Sequence, residues 1–309
     1  MLSYVDIRFR ANCPNRRLLP PYLGVTLRGA LGYALKDVVC VVEHGNCSRC
    51  ALRRVCPYPT VFDGVPPPDR SIMRRYNRVP QPFVLIVDGP HRAPGASEDA
   101  TLAWGLRLFG AAAALWPYAV ESFQRLGRQG IGQARVVYEL TDVRDALSGV
   151  ALWRADDPYL GEPQRGKVAA PKEPISERLR FEFHTPLHVR RDGNMLDHPS
   201  PVDLVLAARR RLGVLNAFYG DDTDRSTEHA GSRIEENDFR VFGSALEPWR
   251  IGRFSTRQRR RVSLSGTMGH VDVSGPWHEA ADALAAMPIV HVGKGTSFGL
   301  GRVSWEGVA

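Results

Sequence analysis

One plan is given twice along this chain, and that repetition most limits what it can fold into. Tyr4-Val5-Asp6-Ile7-Arg8-Phe9-Arg10 alternates, with Val5, Ile7 and Phe9 on one side, which predicts a half-buried strand. Leu23, Leu27, Leu31 and Leu35 then recur every fourth residue, as on one side of a helix. The apolar stretch around Leu102–Phe123 reads as a second helix, and Arg135–Leu140 as a strand. The same order starts again at Leu179-Arg180-Phe181-Glu182-Phe183, which also alternates. Ser200-Pro201-Val202-Asp203 supplies an N-cap serine, a proline at the first helical position and an acid at the third. A further helix is expected from Trp277 to Met287, before a last strand.

Both halves close alike. Gly127-Arg128-Gln129-Gly130-Ile131-Gly132 leads into Arg135-Val136-Val137, and Phe298-Gly299-Leu300-Gly301 leads into Arg302-Val303-Ser304-Trp305. This order predicts an α+β protein of two tandem ferredoxin-like (RRM-like) domains with a C-terminal glycine-rich loop. The expected domains are residues 1–153 and 177–309. Residues 154–176, with four prolines and many charges, read as a linker or long loop.

Among 309 residues, 41 are basic and 33 acidic, a net charge of +8. Only Lys36, Lys167, Lys172 and Lys294 are lysines, so 37 of the basic residues are arginines. Arginine grips phosphate at two points and stacks on bases, and a basic balance of this size favours a polyanionic partner. Codon bias in a GC-rich genome accounts equally well for the count alone, so the arrangement has to decide. The longest charge-free stretch in the most apolar region, Leu108–Val120, has 13 residues, short of the about 20 that span a membrane. The first residues carry no basic region followed by an apolar core, so a cytoplasmic protein without membrane attachment is expected.

Four segments are candidates for chemistry. In His291-Val-Gly-Lys-Gly-Thr-Ser-Phe-Gly-Leu-Gly-Arg302, four glycines (Gly293, Gly295, Gly299, Gly301) surround Lys294, Thr296 and Ser297. Glycines there permit positive φ and close backbone approach to phosphate; the plainer reading is a tight hairpin. A Walker loop is excluded, since too little chain follows to build its helix. Arg250, Arg253, Arg257, Arg259, Arg260 and Arg261 fall within 12 residues, beside Trp249 and Phe254 and without an acid between them. That mixture suits phosphates and stacked bases, against a solvated edge strand as the alternative. On the first helix, Arg28, Gly32 and Lys36 share a face away from the leucines, with Tyr33 beside them. Gly24, Gly29 and Gly32 there either bare the surface for a bulky ligand or allow close packing. Finally, Cys40, Cys47, Cys50 and Cys56 hold a Cys-x2-Cys pair within 17 residues. They would suit structural zinc or an iron–sulfur cluster, with His44 able to replace one ligand, or else are free thiols.

Together these residues resemble the Cas six family, the CRISPR precursor-RNA endoribonucleases of the RAMP superfamily. The segments that carry the resemblance are Leu27–Gly32, Cys56-Pro57-Tyr58, Leu126–Gly132, Phe183–Leu187, Arg253–Gln258 and, most specifically, His291–Gly301. The resemblance implies a protein that binds CRISPR repeat RNA and cuts it without a catalytic cofactor. The ribose 2′-OH would attack the adjacent phosphate, leaving 2′,3′-cyclic phosphate and 5′-OH ends. Many members of the family place a histidine base on or near the first helix. This chain has Tyr33 there, and its nearest histidine is His44. Arg28 and Lys36 are then expected to stabilise the phosphorane, with Tyr33 or His44 handling a proton and His291 as an alternative carrier. Gly293, Lys294, Gly295, Ser297, Gly299 and Gly301, with the six arginines, are expected to hold RNA. Two other readings stay open: a non-cutting RNA-binding subunit among other Cas effector subunits, and a zinc-dependent DNA-binding protein.

Overall fold

A computed structural model describes residues 1–42, 46–64, 79–89, 100–157, 160–220, 233–255 and 260–308. The chain divides into two compact units, Met1–Lys167 with Leu215–Arg225, and Val168–Val214 with Ser226–Ala309. The break falls at residue 167, inside the stretch expected to be a linker. That stretch is not all linker: Gly166–Lys167 pairs with the first strand.

In the first unit, β1 (Ser3–Asn12), α1 (Leu23–Val39), β2 (Phe83–Ile86), β3 (Thr101–Phe109), α2 (Trp116–Gln129) and β4 (Glu139–Asp145) follow in order, then β5 (Ala151–Arg154) and β6 (Gly166–Lys167). The sheet runs β2-β3-β1-β4-β5, with β6 also on β1. The first strand and first helix are where the sequence places them. β1 is buried on both sides over Ser3–Ile7 rather than half-buried. The second side closes because Asp6, 2% exposed, pairs with Arg107, 8% exposed, whose guanidinium lies 5.2 Å from the Tyr4 ring centroid.

Leu102–Phe123 is not one helix. Its first part is β3, the inner strand between β2 and β1, and the helix starts only at Trp116. An inner strand with both faces buried shows no alternation, so a short apolar run does not separate it from a helix. The following strand starts at Glu139, later than expected; Val136 makes only a bridge back to Ile131. Phe9, Trp104 and Phe123 centre the core: the Phe9–Trp104 rings stack at 5.4 Å, and Phe123 meets both edge-on.

In the second unit, β7 (Arg178–Leu187) leads to the small hairpin β8 (Arg190–Arg191) and β9 (Asn194–Met195), then α3 (Pro201–Tyr219). Next come β10 (Arg240–Ser255), β11 (Arg260–Ser274), α4 (Ala281–Val290) and β12 (Val303–Gly307). The sheet order is β10-β11-β7-β12. Setting aside β5, β6 and the β8–β9 hairpin, the four remaining strands of each unit run 2-3-1-4 with helices after the first and third, which is the ferredoxin-like arrangement. The start of α3 is built as its sequence says. The Asp203 amide donates to Ser200 Oγ at 3.2 Å, and the Ser200 amide donates to Asp203 Oδ2 at 3.0 Å. Phe181, Phe183, Leu204, Trp277 and Met287 fill the space between this sheet and its helices.

Candidate RNA-cleavage face and basic surfaces

The leucine stripe buries one side of α1 and turns Arg28, Gly32 and Lys36 to another. Beside that side, a single wide turn of helix, Pro59–Asp63, stacks Tyr58 on Phe62 with centroids 5.5 Å apart and planes 7° from parallel. The Arg28 guanidinium lies 4.3 Å from the Phe62 centroid, and Lys36 Nζ lies 5.9 Å from the Tyr58 centroid. Each cation therefore rests on an aromatic face, a contact worth about 0.5–1 kcal/mol when exposed and more when dry. Tyr33 is 60% exposed. Arg28 and Lys36 are only partly exposed, so this face presents two supported cations and one open phenol.

Gly32 does not leave an empty surface. A Cβ there would lie 3.1 Å from Phe62 Cε1, so this glycine admits the Phe62 ring. Gly29 does face open space, with nothing within 4 Å of a Cβ position. Phe62 and Tyr58 were not among the expected site residues; Cys56-Pro57-Tyr58 was the only local signal. Burial pushes the Tyr58 phenol above its usual range, with Asp63 and Cys47 adding to the shift and Arg28 opposing it. A phenol so raised remains protonated at neutral pH and is able to donate a hydrogen bond. Among the described residues no histidine lies on α1, and His44 lies outside the described residues.

The cysteines surround the end of this face. Cys40 caps α1, Cys47 opens a short 3-10 turn, Cys50 closes it, and all four thiols are partly exposed and not joined in disulfides. Burial raises the Cys47 thiol above its usual value; Lys36 opposes this, while Asp63, Cys40 and Cys56 add to it. The Cys47 thiol is thus close enough to Cys40 and Cys56 to feel their charge. Yet among the described residues no group of three or more Cys, His, Asp or Glu is arranged to hold a metal ion. The donors suit zinc chemically, and their described positions do not form a ligand set.

In the second unit, the segment His291–Gly301 is pinned along the end of β7. The Lys294 amide donates to His188 O at 2.9 Å, and the Gly301 amide donates to Pro186 O at 3.0 Å. Gly293 has φ +82°, and a Cβ there would stand 2.3 Å from His188 O. Gly301 has φ +70°, and its Cβ would stand 1.9 Å from Val292 O. Both positions therefore require glycine for the turn itself. The amides of Val292, Lys294, Leu300 and Gly301 are donated inside the protein, so they do not form a cradle for phosphate. What the loop offers outward is the exposed Lys294, with Ser297 partly exposed.

His291 is 1% exposed, and its Nδ1 lies 3.2 Å from Leu300 O. So buried, it helps to hold the loop closed. His184 also has a fixed partner, Ser304 Oγ, at 2.7 Å from its Nε2.

β10 and β11 pair from Arg240↔Ser274 to Ser255↔Arg260, whereas β11 pairs with β7 only between Ser274 and Thr267. Past Thr267 the two strands continue as a two-stranded arm. Arg250 is exposed on it. The backbones of Arg253, Arg260 and Arg261 lie at its tip, but their side chains are outside the described set, and Arg257 and Arg259 are outside it altogether.

The comparisons with known proteins agree with this architecture. Residues 181–303 match the family model described as CRISPR-associated endoribonuclease Cas6, and residues 2–168 match a second model, of an N-terminal domain. An uncharacterized protein of Archaeoglobus fulgidus is 26% identical over 205 residues, which are 65% of this chain and 65% of that protein. The match thus spans less than two thirds of that curated relative's length. Among solved structures, a Thermus thermophilus Cas6 is similar over 99% of both chains at 16% identity and a TM-score of 0.53. A product complex of the same Cas6 covers 99% of this chain and 100% of its own at 18% identity and a TM-score of 0.53. A second Cas6 product complex covers 98% and 99% at 19% identity and a TM-score of 0.51. At these identities the likeness speaks for the fold.

Two ferredoxin-like domains in tandem are the architecture that this chain shares with those Cas6 structures. The second part of the chain, residues 181–303, matches the Cas6 family. No helix among the described residues is long and apolar enough to cross a membrane.

Proposed function

We propose that this chain binds CRISPR repeat RNA and cuts the precursor once per repeat, by attack of a ribose 2′-OH on the adjacent phosphate. The observation that carries this reading is the α1 face, where Arg28 and Lys36 rest on Phe62 and Tyr58 beside the exposed Tyr33. The 2′ oxygen bonds to phosphorus and gives up its proton, while the bond from phosphorus to the 5′ oxygen breaks and that oxygen gains one. The products are a 2′,3′-cyclic phosphate and a 5′-OH. Charge develops on the phosphorane oxygens, where fixed cations act most strongly. Arg28 and Lys36 fill that role. Tyr33 handles a proton, with His44 as the alternative. No metal enters any step.

Lys294, Ser297 and the arginines of the β10–β11 arm hold the RNA. The cysteines serve the architecture: if they gather a zinc ion or a cluster, it fixes the end of α1 and takes no part in cutting. The cytoplasm and the company of other Cas effector subunits belong to the same proposal. Incubation of the chain in EDTA with the repeat encoded beside its gene, followed by end-group analysis, tests it. A second reading, a subunit that holds RNA without cutting, draws on the lack of a histidine on α1. Cleavage retained in EDTA eliminates it.

A further inference from the structure

At the root of the glycine-rich loop, one histidine has both ring nitrogens committed. His188 Nδ1 lies 2.8 Å from Ser265 O, and the Arg190 Nε lies 3.0 Å from His188 Nε2. A carbonyl only accepts and a guanidinium only donates. The ring therefore carries its proton on Nδ1, and its Nε2 lone pair receives Arg190. The loop is fastened to the same residue, since His188 O accepts from the Lys294 amide and His188 bridges Gly293.

Lys294 therefore starts from the backbone of the residue whose ring holds Arg190. The neighbouring charges that act on His188 are both positive, Arg190 and Lys294. Both cations are exposed, and among the described residues neither has a carboxylate within ion-pair distance. The next residue, Arg191, is by contrast paired to Asp203 and Glu236. Arg191 is spent on the fold, while Arg190 is steered and left without a counter-charge. Two cations brought together without an acid favour an anion between them. With Nε engaged, the terminal nitrogens of Arg190 form the fork that grips two phosphate oxygens.

We propose that His188 is a positioning residue that aims Arg190, beside Lys294, as a clamp on one phosphate of the bound RNA. This rests on the RNA-binding reading above and adds to it a residue pair outside the segments that the sequence singled out. Two amide substitutions separate the two hydrogen bonds. In His188→Asn the amide nitrogen takes the place of Nδ1 and keeps the Ser265 bond, but no acceptor reaches Arg190. In His188→Gln the amide oxygen takes the place of Nε2 and keeps the acceptor, while the Ser265 bond is lost.

The test is binding of labelled repeat RNA by fluorescence anisotropy across a salt series, with thermal melting of each variant. R190A and H188N should each weaken binding about five- to tenfold and reduce the salt slope by about 0.7–0.9, the loss of one phosphate contact. The double variant H188N/R190A should bind no worse than R190A, and H188Q should bind at least threefold more tightly than H188N. Wild-type affinity and slope in R190A would remove the clamp. Wild-type binding by H188N with weakened R190A would remove the positioning role of His188. H188Q binding as poorly as H188N, with a matching drop in melting temperature, would make the histidine structural. If the wild-type chain itself fails to bind the repeat, the proposed function falls and the clamp with it.

Discussion

The Arg28 guanidinium sits 4.3 Å from the centre of the Phe62 ring, and Gly32, one helical turn on, is what lets that ring approach α1. Arg28 is thus aimed by residues more than 30 positions away. Phe62→Leu should cost about 1–3 kcal/mol of stability, as for other buried substitutions. It should also slow cutting at least about tenfold, since small misplacements of a charge near reacting atoms are expensive. Single-turnover cleavage and urea melts on the same preparation measure both. A cut rate at the wild-type level would separate Arg28 from the chemistry.

Tyr33 offers a cleaner test because it is 60% exposed. Tyr33→Phe removes one oxygen and should leave stability within about 0.5 kcal/mol. If its phenol carries a proton in the transition state, the rate should fall by about 10²–10⁴ with little change in RNA affinity. Lys36→Ala should slow cutting as well. Normal rates in Tyr33→Phe would move the proton transfer to His44.

Acid should loosen the second unit. Burial, then the Arg302 charge, holds His184 below the usual 6.5, and burial with Arg190 and Lys294 does the same for His188. Between 6.5 and those lower folded values, the unfolded chain binds more protons than the folded one. The stability these groups supply is therefore complete above pH 6.5 and declines as pH falls towards the folded values. The Asp272 carboxyl, held down chiefly by its hydrogen bonds from Arg180, extends the loss below 3.8. Melting temperatures should drop on acidification from neutral pH, and His184→Gln should flatten that drop. A melting temperature that rises towards pH 5.5 would show the sign to be wrong.

The pair Asp6–Arg107 predicts a purely structural effect. Both side chains are buried, and Arg107 Nε donates to Asp6 Oδ2 at 3.0 Å. Asp6→Ala strands the guanidinium in the core and should cost about 3–5 kcal/mol. Equilibrium urea denaturation reads this directly. Any loss of cleavage should follow the folded fraction and no more.

Metal removal separates architecture from chemistry. Dialysis against a strong chelator should leave the cut rate per folded molecule unchanged. If the cysteines gather a metal, chelation should also lower the first melting transition. Cutting restored only by added zinc would place the ion in the reaction.

Much of this was written locally in the chain. The β1 alternation, the α1 leucines and the Ser200–Asp203 capping box are short-range signals, and each places its element, although β1 is buried on both sides over Ser3–Ile7. The repeated order gave the two sheets, because strand-helix-strand-strand-helix-strand leaves few ways to pack. Leu102–Phe123 misled for a physical reason: β3 is buried on both faces, so its pattern lacks alternation. The aromatic floor under Arg28 was not legible, since Phe62 is brought to Gly32 only by tertiary folding. The same holds for the His188–Arg190–Lys294 group, in which Lys294 lies about a hundred residues beyond the other two and is joined to His188 by its amide. His291 looked available because it precedes the glycines; the structure turns it inward.

The central claim is metal-independent cutting of repeat RNA from the α1 face. The direct measurement is cleavage of the cognate repeat in excess EDTA by the wild-type chain and by Arg28→Ala, with the ends of the products identified. The account predicts one cut per repeat, 2′,3′-cyclic phosphate and 5′-OH ends, and a large loss of rate in the variant. Cleavage that needs added divalent ions, or that leaves 3′-OH and 5′-phosphate ends, would contradict it.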